Sequence, residues 1–245
     1  MLSPQTRRLL LLATVGLLKP LGLDASFESP SVPSSPARSE RVVILDPGHG
    51  GIDLGAVASN KMEKDIALAI AKKLKEKLDN FKGMPARLTR DDDTFIPLEQ
   101  RVTESSDANV MAFVSLHLNK VRRKKLRGIT VFAFGRDRFP IKRRRPLHKP
   151  PPMAPPPKEV AQAGFILADS IARSLRAQGF RVNSIELASY YVLKNPSIPS
   201  ILIELGYLSN PKEAAMLNNP AYQDRLAEAL AVSLGSYDIH SLALK

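Results

Sequence analysis

Apolar positions along the chain fall in blocks whose period changes from block to block. Residues 42–45 (Val-Val-Ile-Leu) are an unbroken, largely β-branched run, the pattern of a strand buried on both faces. It ends in Asp46-Pro47-Gly48-His49-Gly50-Gly51, whose turn residues predict a loop. From 62 to 81, apolar residues recur at 66, 70, 74, 78 and 81 with Lys and Glu between them, so a helix is predicted. Residues 86–89 predict a short strand, and Pro97 opens a second helix to about residue 108. Residues 110–116 predict a buried strand ending at His117, and residues 129–134 another. A helix is expected over 159–178, strands over 190–193 and 200–205, and helices over 211–216 and 222–237. Strands alternating with helices imply an α/β fold: a three-layer sandwich with a mostly parallel central sheet and helices on both faces. No internal repeat interrupts this order.

The first forty residues break the pattern. Arg7 and Arg8 precede an apolar run over 9–18, and small residues follow near Asp24-Ala25-Ser26. A basic start, a short apolar stretch and a small-residue exit describe a signal peptide over residues 1–25. The run is too short to span a bilayer comfortably. Thr6-Arg7-Arg8-Leu9-Leu10 resembles a twin-arginine export signal, while a frayed helix or an uncleaved anchor is the plainer alternative. Residues 26–40 are rich in Ser and Pro, cannot bury a core, and read as a linker. One folded domain is expected over residues 41–240.

Composition narrows the chemistry. The 245 residues are 44% hydrophobic, which suits a domain with a real core. There is no cysteine, which excludes disulfides, thiolate metal sites and a cysteine nucleophile. The net charge of +12 is localised. Between Lys120 and Lys149 stand thirteen Lys and Arg against the single acid Asp137, so this stretch carries the whole excess. Within it, residues 136–157 are Arg- and Pro-rich and are expected to be an insertion poor in regular structure. A clustered positive field favours a polyanion, and an anionic envelope polymer is the candidate; the plainer reading is a solvated loop. Nucleic acid is not expected as a partner, because only Phe132, Phe134 and Phe139 interleave the charges and no nucleic-acid motif is present.

In open α/β sheets, sites gather at the carboxyl ends of strands. His49 ends the first strand, His117 the central one, and Glu204 lies in the last apolar run; Glu63 stands at a helix start. Two His, one carboxylate and an open position make up a catalytic zinc site, and a second carboxylate can serve as general base. Spacing alone is a weak signal, since no short motif joins these residues. A lone His after a strand is usually a satisfied polar group, and Glu63 could be an ordinary first-turn charge. Glu204 is the telling residue. An unpaired charge is costly in the run Ser200-Ile201-Leu202-Ile203-Glu204-Leu205, which reads as fully buried, so Glu204 is expected to be paired, protonated or functional.

Six segments then fall in order: Leu45-Asp46-Pro47-Gly48-His49-Gly50-Gly51, Glu63-Lys64-Asp65-Ile66, Leu88-Thr89-Arg90, Pro97-Leu98-Glu99-Gln100-Arg101, Ser115-Leu116-His117-Leu118-Asn119, and Ile203-Glu204-Leu205-Gly206 through Pro211. Together, over residues 41–238, they resemble the zinc-dependent, type 3 class of N-acetylmuramoyl-L-alanine amidases. The resemblance implies that His49, Glu63 and His117 ligate Zn2+ and that Glu204 is the catalytic glutamate. Asn119 is a candidate contact to the metal site or the substrate. The implied reaction is hydrolysis of the amide between N-acetylmuramic acid and L-alanine of the peptidoglycan stem, in the periplasm or cell envelope, in cell-wall remodelling and daughter-cell separation. Peptidoglycan is the implied substrate and an activator protein a candidate partner.

Two departures stand out. Leu118 occupies a position where the family usually has Ala and is expected to narrow the cleft. Some relatives carry a zinc-blocking helix near the basic insertion; the prolines of residues 150–157 forbid a long helix here, so no such plug is expected. The competing readings are another zinc-dependent envelope hydrolase, a peptidase or deacetylase, and a non-catalytic envelope-binding protein on the same fold.

Overall fold

The computed structural model describes residues 42–58, 60–80, 84–103, 109–136 and 148–237. The expected signal peptide, the linker, the far end of the second expected helix and residues 137–147 of the basic insertion lie outside the described residues.

The continuous apolar runs become the inner strands of a six-stranded sheet. Its members are β1 (Val42–Pro47), β4 (Ala86–Leu88), β5 (Val110–Asn119), β6 (Ile129–Phe134), β7 (Val182–Ala188) and β8 (Ser200–Tyr207), in the order β4-β1-β5-β8-β6-β7. β4, β1, β5 and β8 run parallel; β6 is antiparallel to β8 and parallel to β7. The sheet is therefore mostly parallel, as expected, with a reversed pair at one edge. A two-residue hairpin, β2 (Val57–Ala58) and β3 (Lys61–Met62), precedes α1 (Glu63–Asp79).

One face of the sheet is covered by α1, α3 (Lys158–Ala177) and α5 (Pro220–Gly235). Ile70 and Leu74 of α1, Leu167 and Ile171 of α3, and Leu226 and Leu230 of α5 are fully buried against Val43, Val114, Val131 and Ile201. α1 also matches its dipole, with Glu63 and Asp65 in its first turn and Lys77 in its last. α4 (Pro211–Leu217) adds Ala214 and Leu217 to the same core. The other face is only partly covered. There α2 (Leu98–Thr103) and a 3-10 turn at Tyr191–Leu193 close a smaller cluster around Ile44, Phe113, Phe132 and Leu202. The rest of that face is the floor of an open cleft.

Two expectations about the elements need correction. Residues 190–193 are not a strand: Tyr191–Leu193 form the 3-10 turn, and the apolar run caps the smaller cluster, with Tyr190 edge-on to Phe132 at 5.3 Å. The strand in this region is β7, an edge strand whose Asn183, Ser184 and Glu186 are exposed or half-buried and leave no apolar run to see. Residues 148–157 form no helix or strand, yet their backbone is anchored. Proline fixes their backbone, Pro156 is buried, Lys194 Nζ donates to the carbonyl of Met153, and His148 pairs with Glu99 at 2.9 Å.

Candidate metal centre and active site

β1 delivers its last residues into a tightly held loop. Asp46 is fully buried and accepts from Thr89 Oγ1 (2.7 Å), Ser115 Oγ (2.6 Å) and Arg101 Nη1 (2.6 Å). Burial alone would raise its pKa, but the Arg101 guanidinium and the two hydroxyls outweigh that and hold it below the usual carboxylate value. Arg101 also donates to the carbonyls of Pro47 (2.9 Å) and His49 (2.6 Å). Arg90 donates to those of Pro47 (3.0 Å) and Gly48 (2.8 Å). Two buried guanidinium forks thus gather three consecutive carbonyls and hold His49 at φ 63°, a left-handed backbone that non-glycine residues seldom adopt.

That backbone aims the His49 ring at Glu63 and His117. Glu63, the first residue of α1, accepts from the backbone N–H of Ala56 (2.7 Å) and of Leu118 (2.9 Å). Its Oε1 lies 3.1 Å from His49 Nε2 and 2.9 Å from His117 Nδ1. Burial would raise the Glu63 pKa, yet the hydrogen bonds from His117 and His49 hold it far below the usual value. The His49 and His117 rings meet edge to face, with centroids 4.9 Å apart. One ligand atom from each of the three residues lies within 4.8 Å of the others. Tetrahedral zinc with bonds of about 2.0 Å puts its ligand atoms about 3.3 Å apart, so a nitrogen, an oxygen and a nitrogen at these spacings fit such an ion. Glycine is required at position 48, because a Cβ there would lie 2.3 Å from His117 Cε1.

Asp53 was not singled out from the sequence. His49 Nδ1 donates to its Oδ2 at 2.7 Å, which leaves Nε2 directed at Glu63. Burial would lower the His49 pKa, but Asp53 and Glu63 raise it to about 9. The roles of Arg90 and Arg101 were likewise unassigned. Only their long-range partners reveal what they do.

Glu204 is the half-buried member of β8 among buried neighbours. It is paired in register with His117 of β5 on one side and Thr130 of β6 on the other, and Thr130 in turn with Ser184 of β7. These four side chains form one row on the cleft face. Glu204 is therefore not sealed in the core as expected. It opens onto the cleft, although its Oε2 is shut from solvent and has no hydrogen-bond partner among the described residues. Burial and the Glu63 carboxylate push its pKa well above the usual value, with His49 opposing them. Asn119 lines the same cleft. Leu118 borders the cleft, but one position on from His117 in the strand it is 2% exposed and packs in the main core. Among the described residues of 148–157, none bonds to His49, Glu63, His117 or Glu204.

Residues 43–236 match the family model described as N-acetylmuramoyl-L-alanine amidase. The chain belongs to that family. It is 36% identical to N-acetylmuramoyl-L-alanine amidase AmiA of Escherichia coli (strain K12), across 81% of this chain and 76% of that protein. The solved N-acetylmuramoyl-L-alanine amidase AmiC2 of Nostoc punctiforme superposes with a TM-score of 0.67 at 30% identity, over 82% of this chain and 98% of that one. The CwlD amidase from Clostridioides difficile, solved in complex with the GerS lipoprotein, gives 0.64 at 31% identity, over 80% of this chain and 98% of that one. As a family member the chain is a peptidoglycan hydrolase of the N-acetylmuramoyl-L-alanine amidase type, and the helix-flanked, mostly parallel sheet is the family's fold.

Proposed function

We propose that His49, Glu63 and His117 hold a zinc ion beside Glu204, and that this centre hydrolyses the amide joining N-acetylmuramic acid to L-alanine of the stem peptide. The supporting observation is the convergence of the three ligand atoms next to a carboxylate that shares their face of the sheet. Zinc supplies Lewis acidity to the carbonyl and lowers the pKa of the attacking water. The protein does the rest. Asp53 fixes the tautomer and direction of His49, and the N–H groups of Ala56 and Leu118 fix the carboxylate of Glu63. Glu204, with its pKa raised by burial, accepts the proton that water loses and returns it to the amide nitrogen as the C–N bond breaks. Water adds across the bond, giving a lactyl carboxylate and the free amine of L-alanine. Asn119 stands where it can contact substrate at the cleft wall.

Residues 1–25 are read as an export signal that delivers residues 41–240 to the periplasm or cell envelope, for wall remodelling and daughter-cell separation. The basic stretch from Lys120 to Lys149 is read as a hold on an anionic envelope polymer. An activator protein is a further candidate partner.

The test is a digest of purified sacculi, with and without chelator, followed by end-group analysis. New L-alanine amino termini on an intact glycan, lost with chelator and restored by zinc, are expected. Cleavage within the peptide, or release of acetate, would replace this reading with a peptidase or a deacetylase.

A further inference from the structure

The cleft, about 1910 Å³ in volume, has two chemically different ends. Along β6, Thr130 is the register partner of Glu204 and Phe132 lies two residues after it; Arg127 precedes the strand, across Gly128 at φ 100°. At about 3.3 Å per residue, Phe132 stands about 7 Å along the strand from the reacting centre, while Arg127 lies past the other end of the strand. Beyond Phe132 the wall is aromatic, with Tyr190 and Tyr191. At the Arg127 end it is cationic, lined by Lys120, Arg122, Lys125, Arg127 and Arg181.

This cationic wall is built on fixed backbone. Val121 N–H donates to Ser209 Oγ, and Gly128 N–H to Glu213 Oε1. The carbonyls of Leu126 and Arg127 accept from the side chains of Asn210 and Asn183. Lys120 Nζ reaches across to the carbonyl of Val57. The segment is thus tied at both ends, yet the charged tips of Arg122, Lys125 and Arg127 have no acidic partner among the described residues. Of the cleft's carboxylates, Asp53 and Glu63 face the two histidines, Glu204 stands at the reacting centre, and Glu186 of β7 is the register partner of Phe132, toward the aromatic end. Unneutralised cations on a held loop, facing a substrate cleft, suit carboxylates that arrive with the substrate.

We propose that this wall is the subsite for an acidic peptide, taking the carboxylates that lie on the amine side of the cleaved amide, with the sugar directed to the aromatic end. The inference rests on the amidase reading above. Charge complementarity sets the direction: the peptide half of the substrate can carry several carboxylates, whereas an N-acetylated sugar presents apolar ring faces suited to tyrosine.

Two soluble muramoyl-peptides test this, one with free carboxylates on the second and third residues and one with those groups amidated. For the wild type, amidation is expected to raise KM about tenfold or more. For Arg122→Gln/Arg127→Gln, KM on the free-acid substrate is expected to rise toward the amidated value, with little further response to amidation and a smaller change in kcat. Calorimetric binding of the free-acid peptide to Glu204→Gln, with and without the two arginine changes, reads the subsite without turnover. Equal KM on both substrates for the wild type, or a preference that survives in the double variant, overturns the proposal. So does a double variant that loses only its hold on phosphate-bearing wall polymer while its soluble-substrate KM is unchanged. Wild-type protein that binds the acidic peptide but frees no amine from either substrate overturns the amidase reading and leaves the subsite standing.

Discussion

His117 and Glu204 are direct partners across the parallel β5–β8 ladder, so a histidine of the candidate metal cluster and a carboxylate leave the sheet on the same face from adjacent strands. The division of labour follows from their contacts. His117 shares Glu63 with His49, whereas Glu204 Oε2 has no hydrogen-bond partner among the described residues. Glu204→Gln is therefore expected to lower kcat/KM by about 10²- to 10⁴-fold, the usual worth of a general acid–base group. Zinc content, measured by elemental analysis, should be unchanged. The melting temperature should hold or rise, because a buried carboxylate is replaced by a neutral group of the same shape. Loss of zinc along with activity would move Glu204 into the ligand set.

Asp53 carries the next expectation. It receives the Nδ1 proton of His49 and so fixes which nitrogen faces Glu63. Asp53→Asn keeps the size but loses the charge that holds the ring. Zinc affinity, read by competition with a chromogenic chelator, is expected to fall about 10- to 100-fold. The loop should otherwise keep its shape, since Arg90 and Arg101 hold it through backbone carbonyls. Unchanged affinity would show that those two arginines alone position the ring.

Much of this was legible in the sequence, for physical reasons that also explain what was not. β1, β5 and β8 are buried on both faces over most of their length, so they read as unbroken apolar runs; the strand-end rule then pointed to His49 and His117, and the lone charge inside the last run pointed to Glu204. β7 is an edge strand with polar residues over the cleft, so its pattern is weak, while the four apolar residues after Ser189 mimic a strand and instead cap a cluster. Asp53, Arg90 and Arg101 carry no periodic signal. Their importance lies in contacts to loop carbonyls and a ring nitrogen, and no local pattern encodes these. The fate of Leu118 was legible in principle, since alternation along β5 turns it away from a cleft that His117 faces.

The Asp46 cluster fixes an acid limit to stability. Its folded pKa lies below 3.8, whereas the unfolded carboxyl titrates near about 3.9. Between those two values the unfolded chain binds more protons, so stability rises with pH there. The contribution is fully present above the unfolded pKa and is lost as pH falls through the folded one. Urea unfolding of the wild type and Asp46→Asn is expected to show the largest gap near neutral pH. At pH 7 the gap should be about 3–5 kcal/mol, because Arg101 is left as an uncompensated buried charge. It should narrow below about pH 4. A gap that stays constant down to pH 2 would assign the acid sensitivity to another carboxylate.

Deletion of residues 137–147 separates the two roles open to the basic insertion. The deleted residues hold Arg138, Lys142, Arg143, Arg144 and Arg145 against Asp137. The flanking residues 148–157 keep their anchors through His148–Glu99 and Lys194–Met153. If the insertion holds an anionic polymer, sedimentation with sacculi should weaken, and the loss should be greatest at low salt, where exposed charges are least screened. Turnover of a soluble muramoyl-peptide should stay within about twofold, since the cleft cations Lys120 to Arg127 and Arg181 remain. A deletion that instead raises soluble turnover many-fold would mean that this segment restrains the active site, the role that the prolines of residues 150–157 argue against.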